Sequence, residues 1–240
     1  MQSLSAEKIL VLWETGRPQH ALDRALTILA AATPGASRAA LADLPIGERD
    51  ARLRKLRVLV FGPRAHGFAE CPHCTERIEF PLDLAPSRDL EGRALSGGAN
   101  APTSYTTETN GTTLRFRLPT SRDLAEVAAA PNEKAALQRL VQRCAFEEDL
   151  PDETLEVLSR AMLEADPETE ITLHLTCPSC AGTWDLLFDI AEFFWREISA
   201  EAQRLLREID TLARAYGWTE GEILNLPAQR RQTYLEMLMA

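Results

Sequence analysis

A mainly helical α+β fold is predicted by three features of the sequence. Long stretches carry apolar residues at three- and four-residue spacing, the mark of amphipathic helices. Shorter stretches alternate apolar and polar residues, the mark of half-buried strands. Two Cys-Pro-x-Cys units each sit between two such strand-like stretches. Together these define a helical chain with a discontinuous four-cysteine ribbon, built from two strand–CPxC–strand halves, with a β-hairpin and helices inserted between them.

Residues 1–66 form the N-terminal helical region. Leu10 and Trp13, then Leu22, Leu26 and Leu29, line helical faces until Pro34-Gly35 breaks the pattern. A further helix is predicted from Ile46 to Phe61, with Leu53, Leu56 and Val60 inward and Arg49, Arg52 and Lys55 outward; Gly62-Pro63 ends it. Residues 67–84 form the first ribbon half. Phe68 precedes Cys71-Pro72-His73-Cys74, after which Ile78, Phe80 and Leu82 alternate with Glu79 and Pro81.

Residues 85–169 are the insertion. Ala85 to Ala101 is rich in Gly, Ser, Pro and Asn and reads as a mobile loop. A hairpin follows, Thr103–Thr109 and Thr112–Leu118 around Asn110-Gly111, a pair suited to the positive φ angles of a type I′ turn. Leu114, Phe116 and Leu118 mark its buried face. Helices resume at Thr120, whose hydroxyl pairs with Asp123 as a cap, and continue through Glu133–Cys144 and Asp152–Leu163. Cys144 is read as a small buried hydrophobe beside Leu137 and Leu140. Residues 170–189 form the second ribbon half: Ile171, Leu173 and Leu175, then Cys177-Pro178-Ser179-Cys180, then Trp184, Leu186 and Phe188. Residues 190–240 are a C-terminal helical arm.

The cysteines carry the chemistry. A Cys-x-x-Cys pair at the tip of two strands lets both thiolates reach one ion, while N–H groups of the turn point at the sulfurs. Two such pairs give Cys₄, a closed tetrahedron without a place for water or substrate. Cys71, Cys74, Cys177 and Cys180 are therefore predicted to hold one structural Zn²⁺; iron shares this ligand set. The pairs lie about a hundred residues apart, and closing so long a loop is acceptable because its cost grows only logarithmically. The rival reading is a thiol oxidoreductase, since Cys-Pro-His-Cys suits disulfide chemistry. That chemistry wants the first Cys at a helix N-terminus, whereas strand pattern follows Cys74 here. His73 is read as a solvated residue of the turn.

Other chemistry is sparse. The chain has 240 residues with a formal net charge of −10, which argues against nucleic acid as a partner. Its four histidines form no metal motif, and no Gly-rich phosphate cradle or catalytic constellation is visible, so an enzyme is not expected. The apolar run Ile9–Trp13 is too short for a signal peptide and no stretch suits a membrane span, which points to the cytoplasm.

In the arm, Ile198, Ala202, Leu205, Ile209, Leu212 and Tyr216 form a heptad-like stripe. Gly217 is placed to end that helix in a left-handed cap, Thr219 and Glu222 to form a capping box, and Pro227 to begin a last helix carrying Tyr234, Leu235 and Leu238. The stripe either packs on the protein's own helices or docks another subunit. A DNA-reading motif is disfavoured by the balanced charges of this segment.

Several segments resemble a known family. They are Gly47-Glu48-Arg49-Asp50 leading to Leu53 and Arg57, the two CPxC units with Glu79 after the first, Trp184 and the Phe-Phe-Trp helix after the second, and the closing run from Ala215 to Leu224, then Leu226-Pro227, Arg230-Arg231 and Tyr234-Leu235. In these the chain resembles the baseplate proteins of contractile-tailed bacteriophages of the T-even type, also found in prophages and tail-derived injection systems. The resemblance implies a non-enzymatic structural component or assembly factor, with other baseplate or hub proteins as partners and a place in a virion or tail-like particle. A zinc-ribbon adaptor in regulation or transcription is the alternative. One departure stands out: Thr75 and Ala181 follow the second cysteine of each pair, where knuckles commonly place Gly for a left-handed turn.

Overall fold

The computed structural model describes residues 1–85, 104–109, 111–148 and 150–239. It is a mainly helical α+β chain, as the periodicities predict. Helices α1 (Ala6–Gly16), α2 (Ala21–Ala32), α3 (Arg38–Ala42) and α4 (Ile46–Phe61) lead into a hairpin of β1 (Arg64–Glu70) and β2 (Arg77–Asp83). A second hairpin, β3 (Tyr105–Thr109) and β4 (Thr112–Phe116), precedes α5 (Ser121–Val127), α6 (Glu133–Cys144) and α7 (Asp152–Ala165). A third hairpin, β5 (Ile171–Thr176) and β6 (Thr183–Phe188), leads to α8 (Ile190–Tyr216), α9 (Glu220–Asn225) and α10 (Ala228–Met239). The three hairpins are separate antiparallel two-stranded sheets. The predicted loop beyond Ala85 and the predicted turn residue Asn110 lie outside the described residues; Gly111 beside it has φ +75°.

The main core is made where α8 packs against α1, α2 and α4. Ile9, Leu26, Ile28, Leu29, Leu53, Leu56, Phe194, Ile198 and Leu205 are buried there. Ala65 and Leu82 of the first hairpin join this core, with Leu173 and Phe188 of the third packed against it, so the bases of both hairpins are anchored in one place. A second core lies within the insertion: Leu114, Phe116 and Leu118 meet Val141, Cys144, Leu158 and Met162. Cys144 is buried in a cluster with Val141 of its own helix and residues of the hairpin and α7, while Leu137 is half exposed.

One charged group departs from the sequence expectation, and a second takes a role the sequence did not indicate. Arg49, read as outward, is buried: its guanidinium pairs with Asp50 at 2.7 Å and donates to Ser121 Oγ at 3.2 Å. The N-terminus of α4 has no side-chain cap of its own, because Pro45 occupies that position. Asp166, more than a hundred residues later, supplies the cap instead: its carboxylate accepts the Gly47 N–H at 3.0 Å. A carboxylate there suits the positive end of the helix dipole. Only glycine fits, since a Cβ at residue 47 would stand 1.9 Å from Asp166 Oδ1.

The capping box at α5 forms as read. Asp123 accepts from the Thr120 N–H at 3.0 Å and hydroxyl at 2.8 Å, and from Arg117 at 2.7 and 2.8 Å. Burial alone would raise its pKa, but Arg117 and Thr120 together hold the carboxyl well below the usual carboxylate range. A depressed folded-state pKa stabilises the protein above the unfolded value of about 3.9 and loses that contribution as pH falls through the folded value. Resistance to urea unfolding should therefore fall below about pH 4 in the native protein. Asp123→Asn should be less stable at neutral pH and show a flatter acid limb; parallel pH profiles would refute this.

The stripe of the C-terminal arm is covered by the chain's own helices. Ile198, Ala202 and Leu205 enter the main core, while Leu212 and Ile223 are buried against each other's elements as α9 and α10 fold back on α8. Tyr216 is the exception: it is part exposed, stacks on Trp218 at 4.6 Å and meets Tyr234 at 5.5 Å. Gly217 caps α8 at φ +70°. A buried pair, Arg231 Nε to Glu208 at 3.1 Å, ties α10 to α8. Among the described residues no helix is long and apolar enough to cross a membrane.

Candidate metal centre

The local sequence makes two near-identical turns. In the first hairpin, Glu70 pairs with Arg77, and residues 71–76 form the loop; in the third, Thr176 pairs with Thr183, and residues 177–182 form it. The Thr75 N–H donates to the Cys71 carbonyl, and the Cys71 N–H to the Glu76 carbonyl, both at 2.9 Å. The same pair of bonds joins Ala181 to Cys177 and Cys177 to Gly182, again at 2.9 Å. Both loops need one residue in the left-handed region, and Thr75 (φ +60°) and Ala181 (φ +56°) adopt it. For non-glycine residues this costs about 1–2 kcal/mol each, so something in the loops must hold them there.

The four predicted ligands meet. Their sulfurs all lie within 4.8 Å of one another, although the pairs stand a hundred residues apart. Cys71 Sγ is 3.7 Å from Cys180 Sγ, and Cys74 Sγ is 3.7 Å from Cys177 Sγ. A tetrahedral ion with metal–sulfur bonds of about 2.3 Å requires sulfurs about 3.8 Å apart. A disulfide would need about 2.05 Å. The spacing therefore fits a four-sulfur metal site, and these residues are able to bind a metal ion. Each loop contributes one buried sulfur, Cys71 or Cys177, and one exposed one, Cys74 or Cys180.

The electrostatics agree with shared thiolates. The N–H groups of Cys180 and Ser179 point at Cys177 and, with the neighbouring thiols, lower its pKa to about 7. Cys74 receives the Glu76 N–H, yet desolvation and the three other sulfurs push it up to about 12. Cys180 is raised as well, although it receives the Gly182 N–H. One thiolate forms readily and each further one is opposed by like charge; a cation between them removes that opposition. Neither pair begins a helix: Cys74 leads into β2 and Cys180 into β6. Around the sulfurs, Ile78 is buried and Ala69, Phe80, Leu175 and Trp184 pack as an apolar collar.

The sequence reading missed one neighbour. His73 is exposed but not simply solvated, since its Nε2 lies 3.3 Å from the Thr183 carbonyl of the other hairpin. Nothing in the spacing around His73 could have named that partner, which lies in the opposite ribbon half. Comparison with family models, with curated proteins and with solved structures returned no match.

Proposed function

We propose that this protein is a non-enzymatic structural component or assembly factor of a contractile-tail baseplate, held by one structural Zn²⁺ and docking through its C-terminal helices. The observation that carries the reading is the sulfur tetrahedron closing two distant hairpins. All four positions are protein sulfur, so a bound ion has no vacant coordination place for substrate. Four thiolates in a tetrahedral array select Zn²⁺ or iron among common ions, and zinc has no redox chemistry to disturb a structural role. The baseplate assignment is supported by the sequence resemblance, which spans nearly the whole chain and is most specific in the segment that forms the end of α8, α9 and α10. The stripe along α8 is used internally, so docking falls to the outer faces of the last helices, where Met237, Leu238 and Met239 are exposed. The chain would act in the cytoplasm during assembly or travel in the particle.

Three experiments test this. Native mass spectrometry should find one zinc per chain, lost when all four cysteines are replaced; a metal-free chain with a disulfide in either pair would favour the thiol oxidoreductase. A tagged chain in its producing cell should co-purify with baseplate or hub proteins. Normal tail assembly in a deletion strain would overturn the baseplate role and leave the zinc-ribbon adaptor, recognisable by co-purification with transcription machinery.

A further inference from the structure

The two metal-binding loops share a backbone but not a surface. Superposing them pairs Cys71 with Cys177, His73 with Ser179, and Glu76 with Gly182. The ring of His73 sits directly on Gly182. A Cβ at residue 182 would stand 2.5 Å from His73 Cδ2, 3.1 Å from its Cγ and 3.3 Å from Cys180 Sγ. The imidazole of one loop thus fills the space that a side chain on the other would occupy, next to the exposed Cys180 sulfur. On the same edge of the ring, His73 Nε2 reaches the Thr183 carbonyl at 3.3 Å. The reciprocal contact has no counterpart in the sequence, because Ser179 has no ring and Glu76 carries a side chain of its own.

We propose that His73 and Gly182 form a one-sided clasp that holds the second loop onto the first and slows metal loss from the Cys180 side. This rests on the metal-centre reading above. His73 is a positioning residue and not a ligand, since the four sulfurs complete the tetrahedron. It acts on the two-residue backbone segment Gly182–Thr183: the Thr183 carbonyl, in the peptide that follows the segment, meets the imidazole, while the Gly182 N–H, in the peptide that precedes it, points at Cys180. A carbonyl requires a donor, so Nε2 carries the proton. Seated on Gly182 and bonded to the next residue's carbonyl, the ring limits the movement of this segment and so keeps the Gly182 N–H aimed at the sulfur. Groups hydrogen-bonded directly to a metal ligand are worth about 10–100-fold in metal affinity; His73 acts one step further out, through the backbone beside Cys180, which places it at the low end of that range.

Gly182 supplies the second arm of the test. Its φ is outside the left-handed region, so alanine is tolerated by the backbone, and the added methyl acts by displacing the His73 ring. His73→Ala and Gly182→Ala therefore break the same contact, and their effects should not add. The experiment loads the full chain with one equivalent of Zn²⁺ and follows release to a colorimetric chelator, at a temperature where circular dichroism shows every variant folded. Release should accelerate about tenfold in His73→Ala and in Gly182→Ala. The double variant should be no faster than either single one. His73→Gln, which keeps a donor, should lie between them and the native chain. Native release rates in His73→Ala, or multiplying effects in the double variant, would overturn the clasp while leaving the metal centre intact. A native chain that takes up no zinc would overturn the metal centre and the clasp with it.

Discussion

Cys71→Ser and Cys177→Ser should each abolish tight metal binding and lower stability by about 5 kcal/mol. That figure follows from chain entropy: a cross-link closing a loop on the order of 100 residues is worth about 4.7 kcal/mol. A serine hydroxyl does not replace a thiolate, because the ligand must be deprotonated at working pH. Both sulfurs are buried, so the substitution also places a hydroxyl in the apolar collar of Ile78, Phe80 and Trp184. Beyond the metal, the hairpin tips meet only through the small apolar collar and the His73 contact among the described residues, and isolated two-stranded hairpins are marginal in water. The strained turns at Thr75 and Ala181 would relax once the ion is gone. Cys144→Ser is the control. Cys144 is equally buried, in the second core among Leu114, Phe116 and Leu158, and bears on no loop closure. Its loss should cost about 1–3 kcal/mol, the ordinary penalty for burying a hydroxyl. Urea unfolding followed by circular dichroism separates the cases. A strong chelator should bring the native protein down to the level of Cys71→Ser and leave Cys71→Ser unchanged. Equal stability in all three variants would refute the assignment.

What was legible in the sequence is what short-range chemistry determines. The Thr120–Asp123 and Thr219–Glu222 boxes, the left-handed Gly217 and the extent of α4 all depend on residues within a few positions of one another. The four sulfurs were legible for a different reason: thiol pairs at that spacing have few other uses, so their meeting across the chain follows from the need to complete a tetrahedron. Charged residues on helices carry no such signal. Arg49, Arg52 and Lys55 look alike in the pattern, yet Arg49 is buried because Asp50 and Ser121 receive it. The same holds for Asp166, whose role as the cap of α4 depends on a glycine more than a hundred residues earlier. The short α3 also escaped, because five residues are too few to display a helical period. His73 belongs to this group, since a position exposed in one loop becomes a contact only when the other loop arrives.

Arg57→Met should be nearly as costly as losing a ligand, about 3–5 kcal/mol, because it removes one partner from a buried ion pair. The Arg57 side chain is 2% exposed and Glu197 is 26% exposed. The fork is bidentate, Nε to one carboxylate oxygen at 2.8 Å and Nη2 to the other at 2.5 Å. Its remaining nitrogen donates to the carbonyls of Gly62 at 2.5 Å and Arg64 at 3.1 Å. One guanidinium therefore joins the end of α4, the start of β1 and the first turns of α8. Arg57→Lys should recover little, since one ammonium cannot span a carboxylate and two carbonyls. Replacing both partners, Arg57→Met with Glu197→Leu, removes the orphaned charge but leaves the two carbonyls without a donor. Only part of the loss should return, and the shortfall measures the backbone contribution. The same variants bear on the metal centre. Arg64 begins the strand that ends next to Cys71, so a loosened hairpin base should weaken zinc binding without any change to the sulfurs. Chelator competition with Arg57→Met should show that weakening. Unchanged zinc affinity in a destabilised variant would mean that the hairpin tips hold the metal independently of the hairpin base.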